Sequence, residues 1–256
     1  MSSNALLAVT PEPLSPPRAD GRKSLFIASE VRCGSTFLAE SLAYELNQNF
    51  GFHLWDLSKE HFSHFDENTT PEQALATWGA LYLDGSGFVA AKLMCKALSV
   101  LHRLARRSEA VRDAFFGENA HWIVQRRSDR VEQAVSLALA RKTQTFHYYD
   151  DPRRAPDRDA TLTPGEVDWA FKAVNLSDVY LEVFAKAPPT TRKIAFEYHD
   201  FLSDQVGCLN RVHRLCGFPL LHPSSYVNMS KIKQTAGEVK KTASEQFKTW
   251  FLENHV

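Results

Sequence analysis

The chain has 256 residues, 44% of them apolar, enough to build the core of one sizeable α/β domain or two small ones and too apolar for wholesale disorder. Thirty basic residues balance thirty acidic ones, so bulk charge recruits neither nucleic acid nor a membrane surface, and any anion site must come from local clusters. The four cysteines, Cys33, Cys95, Cys208 and Cys216, lack C-x-x-C spacing, which argues against a disulfide framework or a zinc site and for a reducing compartment.

Residues 1–22 carry Pro11, Pro13, Pro16 and Pro17 among small and charged residues and read as a flexible tail. The apolar patch at 5–9 lacks the basic flank of a signal peptide, and no apolar run reaches 18 residues. The expectation is a cytoplasmic protein without a transmembrane segment, with residues 23–256 forming one domain.

The first apolar run, 24–28, reads as a buried strand and opens the stretch "LFIASEVRCGSTFL". A small-residue turn follows it, and a helix should begin near Ser35 or Thr36. Free amides in the first turn, with the positive end of the helix dipole, favour an anion there. Gly34 permits close backbone approach, Ser35 and Thr36 add hydroxyls, and Arg32 adds a bidentate charge. On the residues alone, an ordinary helix cap after a strand explains the stretch as well. A nucleotide kinase would need G-x-x-x-x-G-K-[ST]. Here Ser29 stands for the first glycine and Ser35 for the lysine, and no aspartate-ended strand offers magnesium a ligand. A cysteine phosphatase would need an arginine five or six residues after Cys33, which is missing.

Further along, Thr70-Pro71-Glu72-Gln73 marks a helix start, a capping hydroxyl and first-turn proline followed by glutamine. Runs at 88–92 and 121–125 read as a second and a third strand. The third leads into "WIVQRRSDRVEQAVS", with Arg126 and Arg127 at its carboxyl end and a helix starting near Asp129. That helix puts Val131, Ala134, Val135, Ala138 and Leu139 on one face. Ser136 lies roughly 140° from Val131, off the apolar stripe, where it can look back toward a phosphate held by Arg127. The bland alternative is that Arg126, Arg127 and Arg130 are solvated surface charges.

The segment 143–161 mixes Phe146, His147, Tyr148 and Tyr149 with carboxylates and arginines, which suits a sugar or simply a polar loop. Thr163-Pro164-Gly165-Glu166 starts a long helix that Pro188-Pro189 should stop after Ala187, and a fourth strand is expected at 193–197. Strands alternating with helices predict an α/β fold: a doubly wound, mainly parallel sheet covered on both faces, P-loop-like, with ligands at the carboxyl ends of the strands.

Taken together, these motifs resemble the bacterial trehalose-type carbohydrate sulfotransferases. The opening loop, followed by Glu40-Ser41-Leu42, is similar to that family's "SQRSGSTLL" loop. Ala91-Lys92-Leu93-Met94 resembles its "GKLM" strand end, Ser58-Lys59-Glu60-His61-Phe62 its "QEFF", and Arg127 through Ser136 its "RPD…QAVS" element. Lys233-Gln234 resembles its "RQ". The resemblance implies 3′-phosphoadenosine 5′-phosphosulfate (PAPS) as sulfuryl donor, no metal, and a carbohydrate or glycolipid acceptor. It implies that Arg32, Cys33, Gly34, Ser35 and Thr36 hold the 5′-phosphosulfate, Arg127 and Ser136 the 3′-phosphate, and that Lys233 and Gln234 close over the donor. It assigns catalysis to Glu60 as general base, with Arg32 and Lys92 as charge stabilisers. Three departures stand out: Cys33 for a serine, Lys233 for an arginine and His61 for an aromatic residue. They keep open a catalytically silent module binding a nucleotide or sulfated glycan, ahead of an atypical P-loop kinase. A homodimer is compatible with this reading, and nucleic acid is not an expected partner.

Overall fold

The computed structural model of the chain describes residues 23–52, 54, 57, 61–81, 88–144, 160–187, 192–221 and 237–255. The expected tail at 1–22 lies outside them.

Four parallel strands, β1 (Lys23–Ser29), β2 (Phe88–Met94), β3 (Ala120–Arg126) and β4 (Lys193–Glu197), form one sheet in the order β2-β1-β3-β4. Each strand begins within a residue of its expected position. The two central ones are buried almost end to end, as a sheet covered on both faces requires. The helices among the described residues are α1 (Ser35–Phe50), α2 (Pro71–Ala80), α3 (Cys95–Ala105), α4 (Glu109–Phe116), α5 (Arg130–Thr143), α6 (Pro164–Lys186), α7 (Tyr198–Ser203), α8 (Gln205–Cys216) and α9 (Gly237–His255). Both expected capping boxes are formed: Thr70 with Gln73, and Thr163 with Glu166. Asp129 caps α5 through the Glu132 amide, each such cap stabilising its helix by about 1 kcal/mol.

Alternation along the strands sorts the core. Leu25, Ile27, Phe88, Ala90 and Phe196 pack under α1 and α8. Phe26, Ala28, Ala91, Leu93, Trp122 and Val124 pack against α3, α4 and the end of α6. A third cluster joins α5, α6 and α9 through Ala134, Val135, Val167, Ala170, Val174 and Phe247. Because α1 and α5 leave β1 and β3 toward opposite faces, a crevice opens between the carboxyl ends of these two neighbouring strands. None of the described helices is long and apolar enough to cross a membrane.

Candidate functional site

The crevice is floored by the turn from β1 to α1. Arg32 and Gly34 both adopt left-handed backbone, φ +62° and +86°, on either side of Cys33. This turn is held from behind by the β3–α5 segment. Three consecutive carbonyls each accept a side-chain hydrogen bond: Val31 from Gln133 Nε2 at 2.8 Å, Arg32 from Arg127 Nη1 at 3.2 Å, and Cys33 from Gln125 Nε2 at 3.3 Å. In a trans peptide the N–H points opposite to the C=O. Drawing those carbonyls back therefore turns the amides of Arg32, Cys33 and Gly34 outward, toward the start of α1. Outward amides beside a helix N-terminus make an anion-binding concavity.

Side-chain charge gathers on both sides of this concavity. Lys92, on β2, is only 2% exposed; it points to the α1 face and donates to Thr36 Oγ1 at 3.3 Å. The adjacent strand thus brings a lysine to a loop that has Ser35 where a kinase carries its own. On the other side, Arg32 Nε donates to Ser136 Oγ at 3.0 Å. The Arg127 guanidinium lies 4.8 Å from the centroid of the Tyr198 ring and pairs with Glu132 at 2.5 Å. Burial, and then the charge of Arg127, pull Arg32 below its ordinary value. Lys240, near the start of α9, belongs to the same group. It precedes Ala243 and Phe247 by one and two turns on the helix face that packs into the third cluster. Burial, followed by repulsion from Arg32 and Arg127, pulls its ammonium down to about 8, with Glu132 opposing the shift. Three cations thus converge on one side of the turn, with Glu132 the acid among their neighbours.

The remaining expected site residues sort unevenly. Cys33, 1% exposed, is packed inside the turn and burial pushes its thiol up, so it shapes the loop as a neutral group. Ser35 opens α1, and Gly34 is its N-terminal cap residue. Ser136, expected to look toward a phosphate held by Arg127, is 3% exposed and accepts a hydrogen bond from Arg32. The basic cluster after β3 is divided. Arg126 binds Asp178 with Nε and Nη2 at 2.8 and 2.7 Å and Glu182 at 3.1 Å, and Arg130 joins Asp178 as well. Arg126 ties the end of β3, and Arg130 the start of α5, to α6, and neither is a solvated surface charge. Glu60, Lys233, Gln234 and the aromatic stretch 145–159 lie outside the described residues. Leu57 and Phe62, described residues on either side of Glu60 in the sequence, belong to the cores on opposite faces of the sheet.

Two contributors escaped the sequence reading. Tyr198 follows β4, and its ring covers Gly34 so closely that a Cβ there would stand 2.2 Å from Cδ2. Its position immediately after a strand was the available signal. Lys240 had none, because α9 packs back onto α5 from the far end of the chain.

The Stf0 sulphotransferase family model matches residues 85–214, half of the chain. The chain belongs to the Stf0 sulphotransferase family. As a sulfotransferase it is an enzyme of sulfuryl transfer. Among solved structures it is similar to a sulfotransferase from Alicyclobacillus acidocaldarius, with 16% identity over 90% of this chain and 92% of that one and a TM-score of 0.47. It is also similar to the sulfotransferase domain of the Synechococcus PCC 7002 olefin synthase, with 15% identity, 91% and 97% coverage and a TM-score of 0.45. Sulfotransferase STF9 from Mycobacterium avium gives 12% identity, 92% and 69% coverage and a TM-score of 0.47. No curated protein matches the sequence.

Proposed function

We propose that this sulfotransferase moves a sulfuryl group from PAPS to a hydroxyl of a carbohydrate or glycolipid, with residues 23–256 as the catalytic domain and Glu60 as general base. The observation that carries the donor assignment is the pair of cationic flanks around one turn: Lys92 on one side, and Arg32, Arg127 and Lys240 on the other. Two flanks suit a ligand with two separated phosphates. The unpartnered buried atoms Arg127 Nε and Gln125 Oε1, beneath the turn, fit a site completed by a polar ligand.

In this reading the outward amides of the turn, with Ser35 and Thr36, receive the phosphosulfate. Arg127 and Ser136, joined by Lys240, receive the 3′-phosphate, Arg32 reaches from the same flank to the phosphosulfate, and Lys233 and Gln234 close over the donor. The donor supplies an activated sulfuryl group whose leaving oxygen belongs to a phosphate, a weak base. Arg32 and Lys92 stabilise the negative charge that grows on that side as the S–O bond breaks. Lys92 is well placed because its contact is Thr36, in the first turn of α1, where the helix dipole adds to its charge. The Glu60 carboxylate takes the proton of the acceptor hydroxyl as the new O–S bond forms. Catalysis then rests on positioning and electrostatics, as in phosphoryl transfer.

Transfer of labelled sulfate to sugar and glycolipid acceptors, read by mass spectrometry, tests the activity and identifies the acceptor. With that acceptor, Glu60→Gln is expected to retain donor binding and lose turnover about 10²–10⁴-fold. His61→Ala, which removes the neighbouring imidazole, is expected to do much less. Near-normal turnover in Glu60→Gln contradicts the base assignment; a large loss only in His61→Ala transfers the role to the histidine.

A further inference from the structure

The amino-terminal edge of the sheet, opposite the crevice, holds a cavity of about 600 Å³, a size that suits a small ligand. Ala120 and Lys193, the first residues of β3 and β4, line it, and the carboxyl ends of α3, α4 and α6 surround them. β3 has 7 residues and rises about 20 Å from one edge of the sheet to the other, which separates this cavity from the donor turn. Its walls are aromatic. His102, Phe116 and Trp122 stack one on the next, with centroids 4.8 and 5.5 Å apart and planes 24° and 10° off parallel. Phe184 stands edge-on to Trp122 at 5.1 Å and to His102 at 5.2 Å. The Tyr180 hydroxyl hydrogen-bonds His102 Nδ1 and fixes the imidazole on the stack. Burial, followed by repulsion from Lys193 and Arg106, pulls the pKa of that imidazole down to about 4, so it adds no charge near neutral pH.

The rim is cationic. Arg106, Arg112, Arg192 and Lys193 line the cavity, and among the described residues no carboxylate does. Helix carboxyl ends attract cations, and Lys193 serves α6 in that way, donating to the Phe184 and Ala187 carbonyls at 3.0 and 2.7 Å. Arg112 is held by Glu109 at 2.8 Å. The side chains of Arg106 and Arg192 donate to no carbonyl or carboxylate of a described residue, and Arg192 Nη1 is buried without a hydrogen-bond partner. A buried guanidinium donor left open is completed by an acceptor from outside the chain, and an anion is the strongest one. We propose that this cavity binds a flat aromatic anion, one ring system carrying a sulfonate, sulfate or carboxylate, with its rings against the aromatic wall and its charge on Arg106 and Arg192. An aliphatic anion would use the charges without the ring faces, and a neutral arene the faces without the charges. The proposal does not rest on the donor or acceptor assignment.

Titration calorimetry of the full chain with 2-naphthalenesulfonate tests it. One molecule is expected to bind per chain, with a dissociation constant below about 1 mM. Saturating adenosine 3′,5′-bisphosphate, a ligand for the opposite edge of the sheet, is expected to change that constant less than about twofold. Neutral 2-naphthol and aliphatic hexanesulfonate are each expected to bind at least about tenfold more weakly. Replacing both arginines, Arg106→Gln with Arg192→Gln, is expected to weaken the naphthalenesulfonate at least about tenfold. Val183 lines the same cavity and is 64% exposed, so Val183→Glu sets a like charge at the rim without disturbing the core and is expected to weaken binding as well. Should the double variant fail to fold, Val183→Glu decides alone. No saturable binding up to about 1 mM, displacement by the bisphosphate, or equal affinity for either control compound overturns the proposal. So does binding indifferent to these substitutions.

Discussion

At the level of single residues, Gly34 has the least freedom to change. A side chain there meets left-handed strain of about 1–2 kcal/mol and the Tyr198 ring at 2.2 Å. Gly34→Ala is therefore expected to weaken binding of adenosine 3′,5′-bisphosphate, the donor without its sulfuryl group, at least about tenfold by titration calorimetry. Adding Tyr198→Ala should recover part of that loss by clearing the ring; an unchanged affinity in the single variant would show that the turn is not the anion site. Glu132 has the opposite sign. Its carboxylate, itself 36% exposed, occupies the buried Arg127 and can swing away into solvent. Glu132→Gln removes a competitor for the phosphate and is expected to tighten binding up to about fivefold. Weaker binding would mean that Glu132 orients Arg127 rather than competing for it.

Among elements, legibility followed the locality of the signal. The strands were readable because buried parallel strands are continuous apolar runs, and α2 and α6 because threonine, proline and a glutamine or glutamate announce their starts. Arg126 and Arg127 look alike in the sequence, yet consecutive strand-end residues point to opposite faces. One went to Asp178 and the other to the loop. Ser136 was expected to face a phosphate held by Arg127; its hydrogen bond comes from Arg32, a contact that helical phase alone does not specify. The contribution of α9 was illegible, since only tertiary packing brings Lys240 beside Arg32. It has a pH signature. Lys240 carries its charge below about pH 8, so donor-analogue affinity is expected to be level at lower pH and to fall as pH rises through that value. Lys240→Gln should flatten the profile; a wild-type profile flat to pH 9.5 would remove Lys240 from the site. Stability moves the other way. The folded value lies below the ordinary lysine value of about 10.4, so between about pH 8 and 10.4 the unfolded chain binds more protons and this residue makes stability rise with pH.

For the molecule as a whole, strand order decides where chemistry is placed. With β1 and β3 adjacent and their helices departing to opposite faces, the crevice at their carboxyl ends is the topological switch point of the sheet. The turn after β1, Lys92 from β2, Arg127 after β3, Tyr198 after β4 and Lys240 from α9 all gather there, and we propose that these residues, scattered from 32 to 240, act as one anion site. Family membership establishes sulfuryl transfer; the identity of the donor is the central claim built on this geometry. Thermal unfolding with adenosine 3′,5′-bisphosphate, in the absence of magnesium, tests it most directly. At a hundredfold excess over its dissociation constant the ligand is expected to stabilise the fold by about 2.7 kcal/mol, with ATP and GTP much weaker. No shift with the bisphosphate, or a larger one with magnesium ATP, would contradict the account.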